Sequence, residues 1–404
     1  MKKQLLFVPI LILLIGLSGC SSERSRGNLP QSTRPKQSAI IAAATAGLGA
    51  SAGSGTVDSE AVDSEATAPA TGAATADTPE RLTFFEREDG AIVFHLGNQT
   101  DYSHPLHLGL LRFKEEVETR SEGSLIVEVY SNSRIGGDGV LMNMVNDNQL
   151  DAAIITIWGL WHNLTDYANL ESLPFLFSNY DEAWAAYEGT LGAWVAENVI
   201  EPHGARVLGF WTNGLRHFTN SVRPIHTPAD MIGLRMRSPQ IATNLAMYEE
   251  FGSASVSMAF DLLYDNLASG MIDGQDNPLG NIHTSRLFEV QRYLSLSSHM
   301  FSSAPLIVST DFWYSLSEEH RQILLDSSAI AARHQGDLTR AMEVNQLGDM
   351  IAFGTQVNQV DMAAFMTAVE PIWEDHIERF GSDFITIARN YISDPSALAH
   401  RFGG

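Results

Sequence analysis

The chain has 404 residues, 48 acidic and 25 basic side chains, and a formal net charge of −23 at pH 7. That balance opposes nucleic acid or an anionic membrane surface as a partner, because both repel it. It also makes each fixed arginine informative, since capture of an anion must then rely on a few locally placed cations.

The first twenty residues read as an export signal. Lys2 and Lys3 precede an apolar run over residues 5–17, which has the length of a signal core and is too short to span a bilayer. Leu17-Ser-Gly-Cys20 then has the form of a bacterial lipobox, and Cys20 is the single cysteine of the chain. One cysteine excludes an internal disulfide and here stands where a lipid would be attached. Residues 21–80 are dominated by Ala, Ser, Thr, Gly and Pro. They lack the large apolar side chains that offset ordering entropy, so a disordered tether is expected. Gly49-Ala-Ser-Ala-Gly53 matches a hydrolase nucleophile pattern, but without a strand before it and a helix after it the match carries no assignment.

The remaining roughly 320 residues exceed what one core usually holds and point to two lobes. Residues 91–97 predict a strand, and Pro105 suits the first turn of a helix with Leu110, Phe113 and Val117 on one face. A strand over 125–130, a turn at Gly136-Gly137 and a helix over 140–148 follow. Residues 151–158 form an apolar run expected of a strand buried on both faces. This alternation predicts an open α/β sheet whose ligands lie beyond the carboxyl ends of the strands, where Asn98, Asp138 and residues 156–161 fall. A helix bearing Trp184, Tyr187 and Trp194 precedes a strand over 205–211, and Asn213-Gly-Leu-Arg216 crosses into the second lobe. There the expected order is a strand through Arg237, a helix from Ile241, a strand over 254–257 and a helix capped by Asp261. A turn at 273–278 and a strand over 291–296 complete it. Pro305-Leu-Ile-Val308 returns to the first lobe, and a long helix from Ser317 past Ala341 is expected to pack along both. The lobes are expected as residues 85–213 plus 303–343 and residues 214–302 plus 344–404.

No H-E-x-x-H, P-loop or dinucleotide glycine pattern is present, and the 13 histidines show no ligand spacing. Neither a metal, a cofactor nor catalysis is expected. Arg237 lies in Gly233-Leu-Arg-Met-Arg-Ser-Pro239, where alternation puts Arg235 and Arg237 on one face and Pro239 keeps Ser238 extended. A guanidinium on a stiff strand, near an amide such as Asn277, suits a carboxylate. Taken singly, Arg237 and Arg216 could equally pair with a nearby acid, and Phe260, Trp211 and Trp158 could be packing residues.

In order, Asn213-Gly-Leu-Arg216, Gly233-Leu-Arg-Met-Arg-Ser-Pro239, Met258-Ala-Phe260, Tyr264, Leu267 and Asp273-Gly-Gln-Asp-Asn-Pro278 resemble one signature. Phe288-Glu-Val-Gln-Arg-Tyr-Leu294 and His299 belong to it too. It is that of the DctP-type solute-binding proteins of TRAP (tripartite ATP-independent periplasmic) transporters, and the similarity runs from about residue 91 to 395. The resemblance implies a two-lobed periplasmic-binding-protein-like α/β fold with a ligand cleft between the lobes. It further implies that Arg237 forms the salt bridge to a ligand carboxylate, with Arg216 a second polar contact, Asn277 beside the carboxylate and Phe260 lining the cleft. Asn98 and Asp138 match polar contacts of the sialic-acid-binding branch. Asp276 replaces the family's usual glutamate, and Thr156 and Gly159 stand where that branch carries an acid and a base. With Trp158 and Trp161 crowding that side, a smaller or less polar carboxylate is favoured over sialic acid. The function implied is a lipid-anchored extracytoplasmic receptor that hands a small organic acid to TRAP permease subunits for sodium-coupled uptake. The alternatives are a ligand sensor of the same fold that feeds a signalling partner and, more remotely, an enzyme acting on an organic acid.

Overall fold

The computed structural model describes residues 82–239 and 241–389; the signal segment, Cys20 and the tether lie outside the described residues. Ten strands among them form one mixed sheet: β1 (Phe85–Glu86), β2 (Ile92–Asn98), β3 (Leu125–Tyr130), β4 (Ala152–Ile154), β5 (Ala205–Asn220), β6 (Arg235–Ser238), β7 (Ala254–Ser257), β8 (Gly274–Pro278), β9 (Tyr293–Ser309) and β10 (Gln356–Gln359). The strand order is β1-β2-β4-β9-β5-β8-β6-β7, with β3 beside β2 and β10 beside β9.

The first half of the sheet is built by crossovers from parallel strand to parallel strand. β2 pairs in parallel with both β3 and β4. The helix Pro105–Arg120 makes the first crossover, started by Pro105 and capped by the His104 ring nitrogen, which accepts from the Leu106 N–H at 3.1 Å. Its Leu106, Leu110, Phe113 and Val117 are fully buried at the spacing of one helical face. Each such side chain contributes about 1.5–3 kcal/mol by leaving water.

The apolar run at 151–158 is shorter as a strand than expected. β4 ends at Ile154, and the chain turns into a 3-10 helix over Trp158–Asn163. The apolar character of this run arises because Ile155, Ile157, Trp158 and Trp161 are buried in the core, not because a ladder continues. The expected helix through Trp184 and Trp194 is likewise two helices, Tyr180–Tyr187 and Thr190–Val195, separated at Gly189.

The largest departure concerns the connection between the halves. The strand expected to stop at residue 211 runs on to Asn220, and the strands expected at 291–296 and 305–308 are one. β5 and β9, of 16 and 17 residues, pair antiparallel from Ala205↔Ser309 to Asn220↔Tyr293, with three register shifts. Their ends belong to opposite halves: β4 joins β9 near Ile307, while β8 joins β5 at residues 216–220 and β10 joins β9 at 293–296. The second half also contains parallel β6, β7 and β8. The segment expected as a turn at 273–278 is β8, which lies between β5 and β6 and is buried throughout. Asp261 does not cap a helix; it lies within the 3-10 turn Phe260–Leu262 that leads into Leu263–Ala268.

The helix Glu318–Phe353 starts on Ser317, whose hydroxyl accepts from the His320 N–H at 3.1 Å. Its 36 residues pack on the helix Pro105–Arg120, on β5 and on the helix Leu279–Thr284, and so reach both halves. The result is a two-lobed α/β fold with a long helix along both lobes.

Candidate ligand-binding site

A cleft of about 510 Å³ lies between the two halves. Arg216, Arg237, Phe260 and Asn277 line it from the second half, and Asp138 and Thr156 from the first. Three other candidates are elsewhere. Asn98 is fully buried and donates to the hydroxyls of Thr100 at 2.9 Å and Ser131 at 3.2 Å. Trp158 is core, with its indole N–H on the Tyr187 hydroxyl at 2.9 Å. Trp211 packs between β5 and the long helix, its N–H on Ser328 Oγ at 3.2 Å. For both tryptophans the packing alternative describes their position.

The two arginines differ in what neutralises them. Arg216 is paired: its Nε donates to Asp276 Oδ2, Nη2 to the Asp276 carbonyl, and Nη1 to Ser302 Oγ at 3.3 Å. Asp276 accepts a further bond from the Tyr248 hydroxyl. Burial would raise this carboxyl, but the Arg216 and His299 interactions outweigh it and hold it well below the usual carboxylate range. His299 stacks on Phe218 with ring centroids 4.1 Å apart and comes within 3.3 Å of Asp276. Burial lowers the His299 pKa below its ordinary value, while the Asp276 carboxylate acts in the opposite direction.

Arg237 has no such partner. It is 4% exposed, and its Nε donates to the Met258 carbonyl at 2.9 Å. Among the described residues it forms no salt bridge with Asp or Glu. Burial, and then the nearby Arg216 charge, lower its pKa to about 10, with Asp276, Tyr248 and Asp261 opposing. It therefore remains charged at neutral pH without a salt-bridge partner among the described residues, and it faces the cleft. β6 makes this possible: Met236 is fully buried on one face, and the next residue, Arg237, points the other way. Beside it, the Asn277 side-chain N–H donates to Gln275 Oε1, which orients the amide.

The first-half wall is an acceptor. Asp138 opens the helix Asp138–Asn146, and its Oδ2 receives Gln99 Nε2 at 2.8 Å, the Thr156 N–H at 2.8 Å and the Thr156 hydroxyl. Its other oxygen, Oδ1, is buried and has no hydrogen-bond partner among the described residues. Burial raises this carboxyl to about 7, although the Thr156 bonds act in the opposite direction. Gln99, which completes the group by accepting from the Asp138 N–H at 3.1 Å, was missed in the sequence. It directly follows Asn98, the last residue of β2, and only the approach of Asp138 and Thr156 to its amide distinguishes it from that neighbour. His162, Asn163 and Asn281 also line the cleft and were missed. The first two are polar residues interrupting an apolar run, which was the available signal.

No group of three or more His, Cys, Asp or Glu among the described residues is placed to hold a metal ion, and no described helix is long and apolar enough to cross a membrane.

A two-lobed fold joined by crossing strands, with a buried arginine facing the intervening cleft, suits a receptor for an anionic solute. The chain belongs to the bacterial extracellular solute-binding proteins, family 7, since the DctP model of that family matches residues 96–379. It is 29% identical over 276 residues to a solute-binding protein of Roseobacter denitrificans, covering 68% of this chain and 84% of that one. It is 28% identical to the 2,3-diketo-L-gulonate-binding periplasmic protein YiaO of Escherichia coli, covering 68% of this chain and 83% of the relative. Among solved structures, a TRAP periplasmic solute-binding protein of a Polaromonas species bound to D-erythronate superposes with a TM-score of 0.71 at 28% identity. That match covers 74% of this chain and 98% of the other. A Chromohalobacter salexigens relative with bound D-glucuronate gives 0.71 at 26% identity, covering 74% and 99%. The protein is thus an extracytoplasmic solute receptor of a TRAP system and not an enzyme.

Proposed function

We propose that this receptor captures a small organic acid by its carboxylate and delivers it to TRAP permease subunits for sodium-coupled uptake. In this reading the carboxylate meets Arg237 and the Asn277 amide, Phe260 covers the ligand, and Asp138 with Thr156 receives its far end. Arg216 contributes mainly by fixing β8, because Asp276 already occupies its guanidinium. The lobes divide near residues 213, 302 and 343, and closure about these crossings favours the bound state because only then do both walls touch the ligand. Lipid attachment at Cys20, followed by the tether, would keep the receptor at the membrane; Leu17-Ser-Gly-Cys20 supports this part.

The observation that carries the proposal is the buried, charged Arg237 that faces the cleft without a carboxylate of its own. A charge-assisted hydrogen bond contributes about 1.5–3 kcal/mol, so losing the guanidinium should weaken binding by roughly 10- to 150-fold. A thermal-shift screen of organic acids that includes D-erythronate and D-glucuronate, followed by calorimetry on wild type and Arg237→Met, tests it. An acid bound equally well by both proteins would refute the role of Arg237.

A further inference from the structure

The crossing strand β5 is irregular at its midpoint. Its register against β9 slips between Thr212 and Gly214, and Gly214 has φ +141°. A Cβ at Gly214 would lie 2.8 Å from Pro278 Cβ and 3.1 Å from the Tyr180 hydroxyl, so a glycine is required there. On the edge away from β9, pairing with β8 begins only at Arg216. The backbone groups of residues 212–215 on that edge thus have no neighbouring strand among the described residues, and buried polar groups of this kind must find other partners.

Side chains supply them. Gln335, on the long helix, brackets Thr212: its Oε1 accepts from the Thr212 N–H at 3.1 Å, and its Nε2 donates to the Thr212 carbonyl at 2.8 Å. The Leu215 N–H donates to the Tyr180 hydroxyl at 3.1 Å, and that hydroxyl in turn donates to Glu343, about two turns further along the same helix. Asn213, between them, donates to the Thr156 carbonyl at 3.1 Å. The gripped segment therefore runs from an attachment to Thr156 on one cleft wall to Arg216 on the other, and the long helix holds it at two points.

We infer that Tyr180 and Glu343 are positioning residues for ligand capture: their hydrogen bond ties the long helix to the Gly214–Leu215 peptide and sets how freely the two walls move about the crossing. Neither residue lines the cleft, so the effect runs through Arg216. The inference rests on the capture reading only in treating lobe closure as the relevant event, and it can be tested without a ligand.

The experiment is a spin-label distance measurement on the full chain carrying Cys20→Ser, with cysteines at Tyr102 and Leu262, which are exposed on opposite halves. Tyr180→Phe removes the acceptor for Leu215 and the donor to Glu343, and should broaden the ligand-free distance distribution roughly twofold. Glu343→Ala should do the same. Glu343→Gln, whose amide oxygen still accepts from Tyr180, should keep the wild-type distribution. Superimposable distributions for wild type and Glu343→Ala would overturn the inference. So would a Glu343→Gln variant as broad as Glu343→Ala, since charge and not the hydrogen bond would then be responsible. If Tyr180→Phe fails to fold, the two Glu343 variants decide the matter. The distances are measured without ligand, so a failed ligand assignment would show in calorimetry with an organic acid and not here.

Discussion

Replacing Arg237 with methionine should make the ligand-free protein more stable while weakening capture by roughly 10- to 150-fold. Arg237 is buried and charged, forms no salt bridge among the described residues, and has its pKa depressed to about 10 by burial and by Arg216. A depression of that size corresponds to about 3 kcal/mol against the charged form in the folded state. The penalty applies at every pH below about 10 and fades as the group loses its proton above that value. Methionine keeps most of the apolar volume but loses the bond to the Met258 carbonyl, which costs about 1 kcal/mol. The net gain should be about 1–2 kcal/mol, or a rise in Tm of roughly 2–6 °C for a body of this size. Differential scanning calorimetry in carboxylate-free buffer measures it, and a titration with an acid found in the screen measures the loss of binding. A clear fall in Tm together with unchanged affinity would refute the reasoning, because it would make Arg237 a structural residue.

Arg216→Met should behave in the opposite way, because it strands the buried Asp276 carboxylate; a loss of about 3–5 kcal/mol is expected in urea denaturation. Asp138→Asn should remove a pH dependence. The folded-state carboxyl is raised to about 7, so its unfavourable contribution in the wild type grows as pH rises from about 4 to 7 and is constant above. The stability difference between this variant and wild type should therefore widen over that window, and parallel curves would contradict the burial of Asp138. Gly214→Ala should destabilise by about 1–3 kcal/mol through its positive φ and the contact with Pro278, which thermal melts would report.

Much of the fold was legible because apolar spacing marks the faces of helices and strands: the helix Pro105–Arg120 and the long helix start where Pro105 and Ser317 predict. Interior polar residues were not legible in this way. Gln275, Asp276 and Asn277 look like a turn, yet they are buried in β8 because Arg216, Tyr248 and Thr219 satisfy or receive their polar groups. The middle of β9 is rich in serine, and those small hydroxyls fit a buried strand by bonding neighbours, as Ser297 does with His299. Among the site candidates, Arg237 and Asn277 were found from spacing and resemblance. Gln99 was not, because only the tertiary approach of Thr156 to Asp138 gives its amide a purpose.

The continuity of β5 and β9 also constrains how the chain folds. Ala205 must find Ser309, and Asn220 must find Tyr293, before either half has a complete sheet. Such distant pairings carry a large loop-closure cost and slow folding. Excision of either half is therefore expected to leave an incomplete sheet, since each uses part of both crossing strands. During synthesis, the half that begins first must wait for residues near 309, so its apolar face stays open until most of the chain has been made.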